Sequence, residues 1–238
     1  MPPRSMFKQK QRPSGLEFAT CADCNNSTSP ADLVASAFAR FDPNTPMVDW
    51  KVLEIDHWKT TLEKKAPGVM REMFRPEKNS EIYRPTKGGI LQPLIKVEAD
   101  GPILRGYLNI FCAKFGMALY REHAGEPLPL NGLVYSRWFL NSGLSQEAAD
   151  KILKVLPLTG TLKQGKFHVA NQFMYRFNCD EKSIVLALAK FHNGLYVLTL
   201  ATSETGKFNL KKLGPTDSIF HPGELCLNMP PKGKAHWI

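Results

Sequence analysis

Apolar residues recur at helical spacing most clearly in the segment from Pro102 to His123. One stripe comprises Leu104, Leu108, Phe111, Phe115, Ala118 and Leu119, and a second comprises Ile103, Ile110 and Met117. A helix that is apolar on more than one side is buried on more than one side. The pattern therefore predicts a long helix at the centre of the hydrophobic core.

Two earlier segments also have the pattern of helices. Ser29 is a favourable N-cap residue and Pro30 suits the first helical position, so we expect a helix from there to about Asp42-Pro43, where proline opposes continuation. A second apolar pattern runs from about Asp56 to Phe74. Because Pro67-Gly68 interrupts it, we expect two short helices there.

The last third of the chain changes to a period of two, which is typical of strands. Residues 173–177 alternate aromatic side chains with polar or smaller ones. Two further apolar runs, 183–191 and 195–202, are separated by His192-Asn193-Gly194, a sequence that favours a hairpin turn. Together these patterns predict an antiparallel sheet packed against the helix at 102–123, and so an α+β fold.

A polar, turn-rich region separates the helical part of the chain from the C-terminal part. Within it, residues 90–97 have the composition of a strand, and Pro93 confines such a strand to the edge of a sheet. Further along, Ser145 is placed to cap a short amphipathic helix that Pro157 would stop. The expected regions are an N-terminal part at 1–45, a helical and linker part at 46–101, and an α+β part at 102–238.

The chain carries an excess of positive charge. Its 238 residues include 31 Lys and Arg against 22 Asp and Glu, which gives a formal net charge of +9. A basic surface favours a polyanionic partner such as nucleic acid. A basic run near the N-terminus is suited to contact phosphates, and its alternative interpretation is a solvated, disordered tail. The run consists of Arg4, Lys8, Lys10 and Arg12.

The cysteines and the N-terminal residues bear on the cellular compartment. The five cysteines are an odd number without the spacing of a disulfide framework, which favours a reducing interior. The N-terminal residues lack the apolar core of a signal peptide. The two longest apolar segments, 103–119 and 184–200, are interrupted by charged or polar residues. We therefore expect a cytoplasmic protein with no membrane partner.

Two of the cysteines, Cys21 and Cys24, form a Cys-x-x-Cys pair. This spacing is found in zinc sites, in redox pairs and in unpaired cysteines, and by itself it leaves these alternatives open. The flanking sequence favours zinc, because Asn25-Asn26 follows at once and the helix expected from Ser29 begins soon after. Residues 1–28 have little hydrophobic periodicity and predict irregular backbone that needs a metal or a partner to be ordered.

Three segments near the N-terminus carry a family pattern. They are Pro2-Pro3-Arg4-Ser5-Met6-Phe7, then Gln11-Arg12-Pro13-Ser14-Gly15-Leu16-Glu17-Phe18, then Cys21-Ala22-Asp23-Cys24-Asn25-Asn26. They resemble the second half of an HNH-type endonuclease module. Residues 102–140 also resemble a region that follows such modules in some bacterial and phage proteins. The resemblance implies a ββα-metal finger, often braced by zinc on two Cys-x-x-Cys pairs, that hydrolyses phosphodiester bonds of DNA.

For individual residues, the resemblance implies that Cys21 and Cys24 match the second zinc-binding pair of the module. It also implies that Asn25 matches a His/Asn position that contacts the catalytic ion, Mg²⁺ or Mn²⁺. In such a mechanism, a histidine takes a proton from the attacking water while the ion stabilises charge on the phosphate. DNA is the partner that the resemblance implies and the net charge favours.

The chain departs from the family pattern in the first half of the module. In the alignment that the motifs suggest, Met1 follows directly after the family's catalytic histidine, so that this histidine and the first Cys-x-x-Cys pair would precede residue 1. Ser14-Gly15-Leu16 stands where the family's middle asparagine is expected. We therefore expect the C-terminal part of such a module, inactive by itself. Its partial treble-clef zinc knuckle should fold poorly because half of its zinc ligands are missing.

Other candidate residues have simpler interpretations. His57 is expected in the first turn of a helix, and His123 at the end of the core helix, where a cation suits the helix dipole. Cys112 is expected inside that helix as a small buried residue, and Cys179 and Cys226 stand isolated in the sequence. The alternative function is that of a non-catalytic protein, of phage or bacterial origin, that binds nucleic acid or another protein.

Overall fold

The computed structural model of the chain has the α+β architecture that the sequence predicts. It describes residues 2–8, 21–41, 49–85, 88–96, 99–140, 151–152, 154, 156, 158–160, 163–164, 167–169, 172–180, 182–208 and 214–230. A six-stranded antiparallel sheet forms one layer, and a long helix packs against it. Ser145 and Asp42-Pro43 lie outside the described residues. Residues 151, 152 and 154 are nevertheless helical, as expected before Pro157, and the helix that begins at Ser29 ends at Arg40, close to its expected stop.

Five α-helices have defined bounds in the described part of the chain. They are α1 (Ala22–Ser27), α2 (Ser29–Arg40), α3 (Asp49–Lys65), α4 (Val69–Met73) and α5 (Pro102–Ala124). The long core helix and the break at Pro67-Gly68 are confirmed. α3 begins well before the expected start near Asp56, so His57 is an exposed residue inside a helix. None of the described helices has both the length and the hydropathy that crossing a membrane requires.

The start of α2 differs from the expected start by one residue. Thr28 is its N-cap residue and Ser29 is already helical. The Thr28 hydroxyl donates backwards to the Cys24 carbonyl at 2.7 Å, so it closes α1 instead of capping α2. α1 itself is not predicted by the sequence pattern, and the expectation of irregular backbone throughout residues 1–28 is wrong at this helix.

The sheet has the strand order β10-β3-β9-β8-β7-β4. The strands are β1 (Ser80–Pro85), β2 (Leu91–Lys96), β3 (Leu133–Leu140), β4 (Leu158–Gly160), β5 (Lys163–Gln164), β6 (Phe167–His168), β7 (Phe173–Cys179), β8 (Ile184–Phe191), β9 (Leu195–Thr202) and β10 (Asp217–Phe220). β8 and β9 form the expected hairpin, in which Phe191 pairs with Leu195. β1 and β2 form a separate two-stranded ribbon, so Pro93 lies in an edge strand as expected.

The centre of the core lies where α5 meets the sheet. Phe111 and Phe115 of α5 pack edge to face against Phe173 and Phe191 of the sheet, with ring centroids 5.1 to 5.9 Å apart. Such aromatic pairs contribute roughly 0.5–1.5 kcal/mol each beyond burial of their area. Gly116 allows the close approach, because a Cβ at that position would stand 2.3 Å from a threonine hydroxyl of β9.

Candidate functional site

The N-terminal segment that carries the first basic residues is anchored in the core. Met6 and Phe7 are 0% and 1% exposed, and the Phe7 ring packs edge to face on Phe173 with centroids 6.5 Å apart. The Met6 carbonyl accepts a hydrogen bond from Nε2 of His192 at 2.6 Å. Residues 2–8 are therefore fixed by burial and hydrogen bonding, where the sequence predicts irregular backbone that needs a metal or a partner.

Two residues of the basic run project from this anchored segment. Arg4 and Lys8 are exposed, and the Lys8 backbone N–H donates to Oε1 of Gln172 at 2.7 Å. Lys10 and Arg12, the other two members of the run, lie outside the described residues. The backbone that carries Arg4 and Lys8 is thus held against the sheet domain while their charged ends face solvent.

His192 joins this segment to the turn between β8 and β9. Because a carbonyl can only accept, the contact with Met6 fixes Nε2 as the protonated ring nitrogen. Burial lowers the pKa of His192, and the positive charges of Arg40 and Lys8 lower it further, against the opposing effect of the Met6 carbonyl. The imidazole is therefore neutral near pH 7 and serves as a structural donor.

Three thiols come together at α1. Cys21 is the N-cap residue, and its Sγ accepts a hydrogen bond from the Cys24 backbone N–H at 3.1 Å. The Cys24 thiol interacts with the thiols of both Cys21 and Cys226, and these interactions raise its pKa. Ser27, one turn further along α1, shares a hydrogen bond of 3.1 Å between its Oγ and the Cys226 Sγ. We call Cys21, Cys24 and Cys226 the thiol cluster.

The contacts within the thiol cluster move the pKa values of its two N-terminal members in opposite directions. The Cys24 backbone N–H, followed by the Cys24 thiol, lowers the pKa of Cys21. The same thiol contact, followed by the contact with Cys226, raises the pKa of Cys24 to about 11. Of Cys21 and Cys24, Cys21 is therefore the more acidic thiol. Hydrogen bonding is the largest cause of both pKa shifts.

Cys226 is the residue of this cluster that the sequence does not reveal. It stands isolated in the sequence, and the fold brings it close to α1 through the C-terminal turn. That turn is held by His221, whose Nδ1 donates to the Gly132 carbonyl at 2.7 Å and whose backbone N–H donates to Glu224 at 2.8 Å. No local spacing could have indicated a contact that depends on these distant hydrogen bonds.

The thiol cluster fits zinc in its chemistry but not in its arrangement. A structural zinc site closes with four thiolate or imidazole ligands. In the part of the chain that the structure describes, no group of three or more His, Cys, Asp and Glu side chains is arranged to hold a metal ion. Cys21 and Cys24 are both exposed, and Cys226 is the third cysteine of the cluster. The described residues therefore do not form a closed zinc site.

Asn25 lies beside the cluster on α1. It is exposed, and its backbone N–H donates to the Cys21 carbonyl at 3.0 Å, as the regular helix requires. The helix thus keeps Asn25 close to Cys21 and Cys24. Its side chain faces solvent, where it is accessible to a ligand.

The histidine and cysteine of α5 have structural environments. The His123 ring stacks on Phe177 with centroids 3.9 Å apart and lies 3.3 Å from the Tyr175 hydroxyl. His123 lies in the last turn of α5, as expected, and burial lowers its pKa, which disfavours the cation that would suit the helix dipole. Cys112 is fully buried, as expected, and burial raises the pKa of its thiol.

A separate apolar cavity of about 880 Å³ lies between the helices α2 to α4 and the end of β3. Phe38, Trp58, Phe74 and Trp138 are among its lining residues. Charged residues at its rim are paired, for example Arg40, which lies 2.5 Å from Glu54. The cavity shares no lining residue with the thiol cluster or with the N-terminal segment 2–8.

Comparison with known proteins identifies no similar protein. No family model, no curated protein and no solved structure matches this chain. The chemistry of the thiol cluster and of the N-terminal segment therefore rests on the contacts described above.

Proposed function

We propose that this chain is an HNH-endonuclease-like protein that binds DNA through its N-terminal basic segment and does not cut DNA by itself. The observation that carries the proposal is the anchoring of residues 2–8, which displays Arg4 and Lys8 from a fixed backbone. The net charge of +9 supports a polyanionic partner. The proposal includes a cytoplasmic location, since free cysteines suit a reducing compartment.

Anchoring matters because binding costs conformational entropy. A cation on a disordered tail must be ordered when it meets a phosphate, whereas a cation on a fixed backbone loses only side-chain freedom. Phosphate contacts of this kind set affinity and orientation but do not select a base sequence. We therefore expect salt-sensitive binding to duplex DNA with little sequence preference.

Hydrolysis would need a general base within reach of the attacking water. Three of the described histidines are engaged elsewhere: His192 with the Met6 carbonyl, His221 with the Gly132 carbonyl, and His123 with an aromatic stack. Their contacts are structural, and none of these contacts involves α1. The non-catalytic form of the proposal rests on this distribution together with the absence of a histidine from residues 1–56 of the sequence.

The experiment is fluorescence anisotropy with a labelled DNA duplex over a range of salt concentrations. The double variant Arg4→Ala/Lys8→Ala should bind about tenfold more weakly than the parent, and the log–log salt slope should fall by about two. The matched control is Lys64→Ala/Lys65→Ala, which removes two exposed charges from α3. Equal losses in the two double variants, or no binding even at low salt, would contradict the proposal.

A plasmid-nicking assay with Mg²⁺ or Mn²⁺ tests the non-catalytic part. We expect intact plasmid under conditions in which DNA is bound. Nicking that is lost in Asn25→Ala, with DNA binding retained, would instead establish catalysis at the position that the endonuclease resemblance implies.

A further inference from the structure

The thiol cluster joins the two ends of the described chain. Cys24 belongs to α1, and Cys226 belongs to the turn that follows β10. The Cys226 sulfur lies 3.1 Å from the hydroxyl of Ser27, which is one turn after Cys24 on the same face of α1. The thiols of Cys24 and Cys226 also interact with each other. Contact between two thiols from opposite ends of a sequence cannot arise from local spacing, so the fold itself brings the two sulfurs together.

Hydrogen bonds order the backbone on both sides of the contact between Cys226 and α1. On the C-terminal side, the backbone N–H groups of Leu227 and Asn228 both donate to the Glu224 carbonyl, which closes the turn around Cys226. On the other side, the Ser27 hydroxyl is hydrogen-bonded to the Cys24 carbonyl at 3.1 Å. The backbone on both sides of the contact between α1 and Cys226 is thus held by hydrogen bonds.

From this geometry we propose that Cys24 and Cys226 are a covalent-modification site, at which a reversible disulfide ties α1 to the C-terminal turn. The inference is independent of the proposed DNA binding. The three thiols of the cluster interact, but the described residues do not form a closed metal site around them. In this proposal a disulfide bond, in place of a metal ion, stabilises residues 21–28.

The oxidant is a low-molecular-weight disulfide such as oxidised glutathione. One protein thiol loses its proton and attacks the glutathione disulfide, which forms a mixed disulfide and releases one glutathione thiolate. The second protein thiol, also deprotonated, attacks the protein sulfur of the mixed disulfide and releases the second glutathione thiolate. The two released thiolates take up the two protons, so two protein thiols and one oxidised glutathione give one protein disulfide and two reduced glutathiones.

A disulfide at this position is expected to be conditional. Both Cys24 and Cys226 are accessible to solvent, at least in part, and disulfides that are exposed in a reducing compartment are usually transient or regulatory. The bond would close a loop that spans most of the chain and so restrict the unfolded state. Oxidation should therefore raise the melting temperature, by about 5 °C or more.

The test is disulfide mapping of the full chain. The protein is treated with a chelator, incubated with oxidised glutathione, alkylated and digested with trypsin. Cys24 lies in peptide 11–40 and Cys226 in peptide 213–232, so the expected product is a cross-link between these two peptides that reductant removes. Because Cys21 shares the first peptide with Cys24, the variant Cys21→Ser must retain the cross-link.

Variants make the assignment specific. Cys24→Ser and Cys226→Ser should each lose the cross-link and the rise in melting temperature, whereas the control Cys179→Ser should retain both. The proposal is overturned if the parent protein forms only a Cys21–Cys24 disulfide or only mixed glutathione disulfides. It is also overturned if the cross-link survives in Cys226→Ser or is lost in Cys21→Ser while that variant keeps the parent's melting temperature in the reduced state.

Discussion

The carboxylate of Glu72 lies directly against Gly101, so that a Cβ at position 101 would stand 1.8 Å from Glu72 Cδ. From that position Glu72 accepts the backbone N–H groups of Ile103 and Leu104, at 3.1 and 2.9 Å. Gly101 is the N-cap residue of α5 and offers no side chain of its own. The side chain that caps the central helix is therefore supplied by α4, from 31 and 32 positions before the two N–H groups that it accepts.

Removal of this remote cap should destabilise the protein. Glu72 is 4% exposed and satisfies two N–H groups that would otherwise be buried without partners. Glu72→Ala is expected to lower the free energy of unfolding by about 2 kcal/mol, as measured by urea denaturation. Glu63→Ala, which removes an exposed carboxylate from α3, is the control and should stay within about 0.5 kcal/mol of the parent.

Substitution of the glycine should be costly for a different reason. In Gly101→Ala the new methyl group would overlap the Glu72 side chain, so we expect a loss of about 2 kcal/mol from the free energy of unfolding. The same substitution in the Glu72→Ala background should cost much less, because the atoms that it meets are gone. Simple additivity of the two changes in a double-mutant cycle would rule out the direct contact as the cause.

A partly buried ion pair connects α2 to α5. Lys114 Nζ lies 2.7 Å from Asp32 Oδ2, and both side chains are mostly buried. Burial raises the pKa of Asp32, and the positive charge of Lys114 opposes that rise. Lys114→Met should therefore leave an unpaired buried carboxyl and lower the free energy of unfolding by about 3 kcal/mol.

Two comparisons separate this effect from a general loss of charge. Asp32→Asn/Lys114→Met should regain part of the loss, because neither remaining side chain is charged. Lys59→Met at the exposed pair with Asp56, where the atoms are 3.6 Å apart, should change the free energy of unfolding by less than about 0.5 kcal/mol. A double variant as unstable as Lys114→Met would show that lost packing, not charge, is responsible.

The ion pair between Arg137 of β3 and Asp217 of β10 predicts a pH dependence. The Asp217 side chain is 1% exposed and accepts Arg137 Nη2 at 2.7 Å and the Gly214 backbone N–H at 2.7 Å. Burial raises the pKa of Asp217, but these hydrogen bonds outweigh burial, and the net effect lowers the pKa below the ordinary value of 3.8.

Because the folded pKa of Asp217 is depressed, its contribution to stability is complete above pH 3.8 and is lost as the pH falls towards the folded pKa. Asp217→Asn should be less stable than the parent near pH 6, by about 1–3 kcal/mol. The difference between the two proteins should shrink as the pH is lowered below 3.8. Urea midpoints at several pH values provide the measurement, and a difference that grows on acidification would contradict the assignment.

The elements that the sequence predicts well are those whose signal is local. α5 follows from the spacing of its apolar residues, and the β8–β9 hairpin follows from the turn residues between two apolar runs. The start of α2 is displaced by one residue because Thr28 and Ser29 are both good capping residues, and the Thr28 hydroxyl is used by α1. Local propensity alone does not decide between two such neighbours.

The site is less predictable than the fold for the same physical reason. The pair Cys21 and Cys24 is visible in the sequence, whereas the contact with Cys226 depends on the position of a distant turn. The burial of Met6 and Phe7 likewise requires the aromatic surface of β7 and the hairpin turn at His192. A stretch that looks like a polar tail is therefore a part of the core.

The strand order has a consequence for the sequence of folding events. β3 pairs with β9 on one side and β10 on the other, and both of these neighbours are synthesised long after β3. The apolar surface of α5 that these two strands cover is therefore not fully covered during synthesis until residue 220 has left the ribosome. We therefore expect the slow, non-local step of folding to be the pairing of β3 with β9 and β10. Until this pairing is complete, the face of the central helix that the two strands cover stays exposed.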